Sequence, residues 1–486
     1  MDITQSTKQL EQFRDRLYRN IDNRADTVME LVDAISSMPQ ARSVVEYSLA
    51  ESYRRSYSTI FKAIDEIVLP PKLLPELLGP FLQSPFDKVS TRLNPSLRTA
   101  PEGLPFWLLG VDVTPQPRLY AHTLQDRSMV YEPTVVKGNK PVTIGHQYST
   151  VALLPDEEDG LTSSWVVPLA TQRVASDADK ELVGAQQIDA LLQDGQLPFG
   201  HTFSVEVGDT SYSKPAYLHA HRKHKNLVTI ARVRSNRTFY RQYQPADNAV
   251  AGAGHPTWYG AAFALSDPDT WGETDDTLTL YETSRRGHRY RVEIQAWHNL
   301  LMTGKQKPSP LPMHRHPFTL LRIVRYDEQG KMACLRPLWL LVIGERRHEL
   351  TLLQSYTAYR RRFNLEHFFR FGKQKLQLTG FQTPEVKREE NWWQLTHIAY
   401  AQLWMARHLA DCLPRPWERN LPSMRRHLIS PSLVQRDFAR IIRQLGTPAQ
   451  PPKHRGISPG RRPGTRLPPR PRQKVVVKSQ IHALSP

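Results

Sequence analysis

Residues 105–113, PFWLLGVDV, are an almost unbroken apolar run that ends in Asp112 and Val113. A strand that is apolar at successive rather than alternate positions is buried on both faces, and such strands belong to covered, largely parallel sheets. The stretch has the look of a buried strand, and an α/β fold is the expectation for the chain as a whole. HTFSVEVGD (201–209) is a second strand of this kind, and it too ends in an acid, Asp209. PVTIGHQYSTVALLP, SWVVPLATQRV and NLVTIARVRSN read as further strands, the last with alternating bases. DKELVGAQQIDALLQD reads as a helix with apolar residues on one side.

The rest of the chain divides by texture. Residues 1–100 carry apolar residues at helical spacing in STKQLEQFRDRLYRNI, RADTVMELVDAISSM and SVVEYSLAESYRRSYSTIFKAIDEIV, and are expected to form a helical amino-terminal domain. LPPKLLPELLGPF then breaks the pattern with prolines. Residues 101–240 hold the two acid-tipped strands. Residues 241–347 alternate strand-like pieces with Gly/Pro/Asp loops and are expected to be a β-rich insertion. Helices resume over 348–446. Residues 447–486 contain nine Lys or Arg, nine Pro and no acid, a composition expected to stay disordered. This tail supplies half of the formal net charge of +18.

A charge that large points to a polyanionic partner. A membrane surface is the weaker choice, because no apolar run nears the 18 or so residues of a span. Met1-Asp2 opens no signal peptide. Cys334 and Cys412 match no zinc spacing and form no disulfide framework, and are expected to be reduced core thiols of a cytoplasmic protein.

YRRRFNLEHFFRFGK (359–373) sets one acid among many bases. With Tyr359 at 0° on a helix, Arg362 falls at about 300°, Glu366 at about 340° and Lys373 at about 320°, so the four share one face. Gly372 is a point where that helix would end or bend. Ion pairing of Arg362 with Glu366 at i,i+4 accounts for the helix face but leaves the strand-end acids unexplained. Three converging acids, Asp112, Asp209 and Glu366, stay ionised only with cations between them. Hard oxygen ligands favour Mg²⁺ or Mn²⁺, and two such ions about 4 Å apart suit an in-line phosphoryl displacement. The neighbouring bases would hold backbone phosphates.

The chain resembles a DDE transposase of a bacterial insertion sequence, in the retroviral-integrase superfamily with its RNase H-like core. GVDVTPQPR is similar to the first-acid strand and VEVGDTSYS to the second, with Asp209-x-x-Tyr212. YRRRFNLEHFFRFGK matches the third-acid motif Tyr-x2-Arg-x3-Glu-x6-Lys of one subgroup, in which a β-rich insertion precedes the third acid. The resemblance covers roughly residues 100–410. It implies an RNase H-like catalytic core over 101–240 and 348–446, interrupted by the insertion. It implies that Asp112, Asp209 and Glu366 are catalytic and hold two Mg²⁺ or Mn²⁺ ions, Asp112 bridging both. It implies that Tyr359, Arg362, Lys373 and Tyr212 contact DNA phosphates. Double-stranded DNA would be the partner, as terminal inverted repeats bound by the amino-terminal helices and as target. A homodimer acting at the nucleoid, without any membrane, follows from the same likeness. Two other readings stay open: an RNase H-like endonuclease that cuts without joining, and a catalytically silent DNA-binding protein.

Lesser features read more plainly. HAHRKHKN, with His219, His221 and His224, has bases that would repel a metal ion and is expected to be a basic, DNA-facing loop. His288 and Arg291 match the His-x-x-Arg of tyrosine recombinases but sit in a strand pattern. GAGHPTWYG is no phosphate-binding loop. Trp258, Trp271, Trp297 and Trp339 lie in the insertion, where related transposases hold a flipped base; a core role is the expectation for each. Trp392, Trp393 and Trp404 are expected to pack the last long helix on the sheet.

Overall fold

The computed structural model describes residues 3–83, 105–132, 141–155, 165–244, 258–284, 287–305, 309–412, 429–453, 460, 462–466 and 468–477. In chain order the helices and strands are α1 (Ile3–Arg19), α2 (Ala25–Ser37), α3 (Ser58–Glu66), α4 (Leu73–Leu78), β1 (Trp107–Pro117), β2 (Ser128–Tyr131), β3 (Val142–Leu153) and β4 (Val167–Val174). There follow α5 (Lys180–Leu192), β5 (Ser204–Gly208), α6 (Pro215–Ala220), β6 (Leu227–Val233), β7 (Thr238–Gln242), β8 (Tyr259–Ala264), β9 (Asp276–Thr283), β10 (Arg289–Leu300), β11 (Phe318–Tyr326) and β12 (Leu338–Ile343). The chain closes with α7 (Leu352–Arg361), α8 (Phe363–Lys375), α9 (Val386–Met405), α10 (Arg407–Cys412) and α11 (Pro431–Leu445). This is a mixed α/β protein. None of the described helices is long and apolar enough to cross a membrane.

The contacts divide the chain into two compact units. The first is Met1–Gln83, Val113–Val183 and Asn364–Pro486; the second is Ser84–Asp112 and Gly184–Phe363. Strand β1 contributes its first half to the second unit and its second half to the first.

In the first unit α1, α2 and α11 pack on α9. The amino-terminal helices are therefore not a domain of their own, as the sequence pattern suggested. The tie is polar as well as apolar. Buried Arg14 pairs with Asp33 and donates to Gln402 Oε1 at 3.0 Å and to the Gly446 carbonyl at 3.2 Å. Such a pair persists only because each polar atom finds a partner. The third expected amino-terminal helix is broken into a 3-10 turn (Val44–Leu49) and α3. Between them, Arg54 and Arg55 turn to Glu30 and to the carbonyls of Ala449 and Gln450. The proline-rich stretch after α3 still holds one short helix, α4.

Trp393 lies flat on Tyr148 of β3, ring centroids 3.9 Å apart. Beside them Glu389 of α9 accepts from Arg118 Nε at 2.6 Å, His146 Nδ1 at 2.7 Å and Tyr148 Oη at 3.0 Å. The apolar face of α9 and this carboxylate together fix helix on sheet. Part of the tail that was expected to stay disordered lies along β2. Gln473 N donates to the His122 carbonyl at 2.8 Å and Val476 N to that of Arg127 at 2.7 Å, so Val476 bridges Ser128 of β2. Three successive valines, Val475 to Val477, give this basic segment the β-propensity to extend a sheet edge.

The second unit carries one sheet in the order β1-β5-β6-β12-β11-β10-β9, and β7 pairs with β8 separately. The β1–β5 and β5–β6 pairs are parallel, and β6 onward is antiparallel. The β-rich stretch 241–347 is thus no detached module, since β12 pairs with β6 and continues the same sheet. Its tryptophans serve the core. Trp297 and Trp339 are buried, and Trp271 stands edge-on to both, at 5.8 and 5.2 Å. Trp258 stacks on His314 at 3.6 Å. His288 precedes strand β10, on which Arg291 lies. Cys334 is exposed, not a core thiol, because it falls in the loop between β11 and β12; the side chain of Cys412 and most of the glycine-rich stretch 245–257 lie outside the described residues.

Candidate active site

The register of the parallel strands decides where the first two acids lie. On β1 and β5, Trp107 pairs with Ser204 and Gly110 with Val207. Continued two residues, the same register sets Asp112, midway along β1, level with Asp209, the residue that follows β5. Parallel neighbours lie about 4.8 Å apart, and level residues point to the same side of the sheet. Two carboxylates so placed repel one another unless a cation stands between them.

Each acid is oriented by its own neighbours. Asp209 caps the 3-10 turn Thr210–Ser213, its Oδ1 accepting from Ser211 N at 2.7 Å. The turn closes tightly: a Cβ on Gly208 would come within 2.7 Å of the Tyr212 Cβ. Tyr212 itself is 2% exposed and stands edge-on to Tyr217 at 4.9 Å. The sequence placed Tyr212 at a DNA phosphate. In the DNA-free protein its ring is buried inside the turn against Tyr217.

Asp112 is met by a cation of the protein's own, Arg362 Nη1 lying 3.2 Å from Asp112 Oδ2. Arg362 comes from the helical motif singled out in the sequence. Helix α7 begins with a reciprocal capping box, Gln354 N to Thr351 Oγ1 at 3.1 Å and Thr351 N to Gln354 Oε1 at 3.0 Å. It packs across β5 and β6. Tyr359 is buried on it, and burial raises its phenol pKa. The charges of Arg362 and Arg232 oppose that rise, and that of Asp209 adds to it. Tyr359, Arg362, Asp112 and Asp209 thus form one neighbourhood within the second unit.

The expected single helix over 359–373 is interrupted at Arg362, where α7 gives way to α8. Glu366 is exposed in the first turn of α8, and Lys373 is half-buried near its end. Gly372 neither ends nor breaks α8. It is buried inside the helix, and a Cβ there would meet Leu378 at 3.1 Å, so the residue is small to let the chain fold back. Among the described residues no three His, Cys, Asp or Glu side chains are gathered closely enough to hold a metal ion.

Sequence reasoning misjudged the region behind Asp209. HAHRKHKN is not a DNA-facing loop throughout. His221 is fully buried, its Nδ1 2.6 Å from Glu206, and Lys223 and His224 both engage Asp189. Glu206 also accepts from Tyr217 at 2.9 Å and Thr229 at 2.6 Å. Nearby Arg222 has its pKa pushed down to about 10 by burial. A Glu in the middle of an apolar strand was the available signal. Arg232 was also passed over, although the alternation in IARVRSN marked it.

A family profile described as DDE superfamily endonuclease matches residues 13–302, which takes in both strand-end acids and stops short of α7 and α8. No curated protein matches the chain. The profile covers more than half of the sequence, and the protein belongs to the DDE superfamily endonucleases, nuclease-type enzymes that act on DNA and generally use divalent metal ions.

Proposed function

We propose that the protein is the transposase of a bacterial insertion sequence, cutting DNA at the element's ends and joining the freed strands to target DNA. One observation supports the reading: the β1–β5 register, continued two residues past Gly110–Val207, brings Asp112 level with Asp209, and a guanidinium lies 3.2 Å from Asp112. The donor set fits Mg²⁺ or Mn²⁺, because carboxylate oxygens are hard ligands and Asp112 already attracts a cation. Asp112 and Asp209 would hold the ions. When bound, two divalent ions supply Lewis acidity to the attacking and leaving oxygens of a phosphodiester.

The chain's own residues do the rest. Arg362 neutralises Asp112 in the DNA-free protein and turns to a backbone phosphate when substrate arrives, a task its fork suits. Tyr359, whose raised pKa keeps the phenol protonated, donates a hydrogen bond to Arg362's phosphate. Joining two ends of one element requires that both be held together, so the active form is a homodimer on double-stranded DNA in the cytoplasm at the nucleoid.

The test uses a plasmid carrying the gene with its native flanks. With Mg²⁺ the wild type is expected to cut at the flank boundaries and to yield strands joined through 3′ ends. Asp112→Ala is expected to lose more than about 100-fold in rate, several kcal/mol of charge stabilisation being gone. Equal cutting by both proteins overturns the assignment. The family description covers endonucleases generally, so cutting without joined products would favour the endonuclease reading.

A further inference from the structure

The β5–β6 register carries the row of acids one strand further. Gly208 pairs with Ala231, so Asp209 is level with Arg232. Continued past Gly110–Val207 and Gly208–Ala231, the two registers set Asp112, Asp209 and Arg232 in line across three neighbouring parallel strands. The shared field at Tyr359, felt from both Asp209 and Arg232, agrees with that alignment. Arg232 is exposed, Val233 is buried, and Arg234 is exposed again, so both guanidiniums rise from one face.

Their surroundings set them apart. Most neighbouring arginines are occupied: Arg222 by Thr229, Arg241 by the Trp271 carbonyl, Arg346 by Glu349, Arg360 by Glu282 and Arg362 by Asp112. The side chains of Arg232 and Arg234 make no hydrogen bond or ion pair with a described residue. Two cations without an ion-pair partner among the described residues, beside two acids, are free to meet an external anion. Arg232 and Arg234 are two strand steps apart, about 6.6 Å. That is close to the step between successive phosphates along a DNA strand.

We infer that Arg232 and Arg234 form a phosphate track in which Arg232 holds the phosphodiester facing Asp112 and Asp209, and Arg234 holds the next phosphate of the same strand. Arg232 acts where bonds change, and its planar fork orients the phosphate between itself and the acid pair. Arg234 lies past the end of β6 and contributes to binding alone. The inference rests on the proposed DNA-cutting site and names residues that neither the motif nor the family match singles out.

The experiment uses the full chain and a labelled 40-base-pair duplex, with nicking of supercoiled plasmid in Mg²⁺ as the second readout. Arg232→Ala is expected to slow nicking at saturating plasmid by about 10- to 100-fold, the loss of one charge-assisted hydrogen bond. It should also lower the slope of log affinity against log salt by about 0.9. Arg232→Lys should recover the slope but not the full rate, since a point charge does not orient the phosphate. Arg234→Ala should lower the slope alike and raise the plasmid concentration that half-saturates nicking. Arg436→Ala, an exposed base on α11, should change neither. Thermal melting of each variant separates unfolding from function, and Arg232→Gln replaces any alanine variant that melts early. Wild-type rate and slope in Arg232→Ala, with nicking abolished in Asp112→Ala, overturn the track and leave the enzyme intact. Nicking that survives Asp112→Ala overturns the enzyme reading and the track with it.

Discussion

Glu206 and Asp209 sit three residues apart at the end of one strand, and their surroundings are opposites. Glu206 is fully buried and accepts three side-chain donors, from Tyr217, His221 and Thr229. Asp209 is half-exposed, spends one oxygen on a backbone N–H, and faces Asp112 across the strand gap. The first carboxylate is closed off by its donors and has nothing left to offer a ligand. The second keeps lone pairs open beside a like charge, which is a costly arrangement for a fold and a useful one for chemistry. Glu389 in the other unit repeats the closed pattern with Arg118, His146 and Tyr148. An acid's role here is legible from whether its oxygens are already spent.

The strongest way to break that contrast is to truncate both acids and measure stability. Glu206→Ala leaves His221, Tyr217 and Thr229 buried without their acceptor, and should cost about 3–5 kcal/mol in urea unfolding. Asp209→Ala should cost only about 1 kcal/mol, the value of one capping bond. In nicking assays the Asp209 variant should be silent at any temperature where it is folded. Comparable stability losses in the two variants would erase the distinction between a structural and a chemical acid.

Gly208 joins the two environments and offers a smaller test. Gly208→Ala forces a Cβ to within 2.7 Å of Tyr212, so the turn that aims Asp209 must shift. Overpacking of this kind costs about 1–3 kcal/mol. Nicking should fall further than that stability loss explains at a temperature well below melting, because Asp209 is displaced relative to Asp112. Unchanged nicking in a folded Gly208→Ala protein would mean that the turn does not set the geometry of the acid pair.

Why some of this was readable and some was not follows from the range of the interactions. PFWLLGVDV and HTFSVEVGD announce buried parallel strands because burial on both faces leaves an imprint within nine residues. Helix is likewise a local property of the Tyr359–Lys373 motif, although the single helix expected there is broken at Arg362, where α7 gives way to α8. Three features depended on partners far along the chain. Arg14 gave no sign that it would join α1 to Asp33 and Gln402, so the amino-terminal helices looked separable. His221 looked like part of a basic loop because Glu206 lies 15 residues away, across a turn. The tail looked disordered by composition, and only its three valines hinted at an edge partner. Arg232 was visible as one of several alternating bases, but its level with Asp209 needed the β5–β6 register.

The mildest probe of the contrast is acid titration of stability. Burial pushes the Glu206 carboxyl up; the charge of His221 and the hydrogen bonds from His221, Thr229 and Tyr217 outweigh it and hold the pKa below the ordinary glutamate value. The unfolded chain, with an ordinary Glu near pH 4.3, then binds more protons than the folded one as pH falls through that range. The contribution of Glu206 to stability is therefore complete above about pH 4.3 and is lost progressively below it, down through the depressed folded value. Urea midpoints of the wild type should fall over this interval more steeply than those of Glu206→Gln, which cannot titrate there. Parallel slopes would mean that the Glu206 proton is bound equally in both states. The carboxylate would then not be held ionised by its donors, and its closed surroundings would no longer separate it from Asp209.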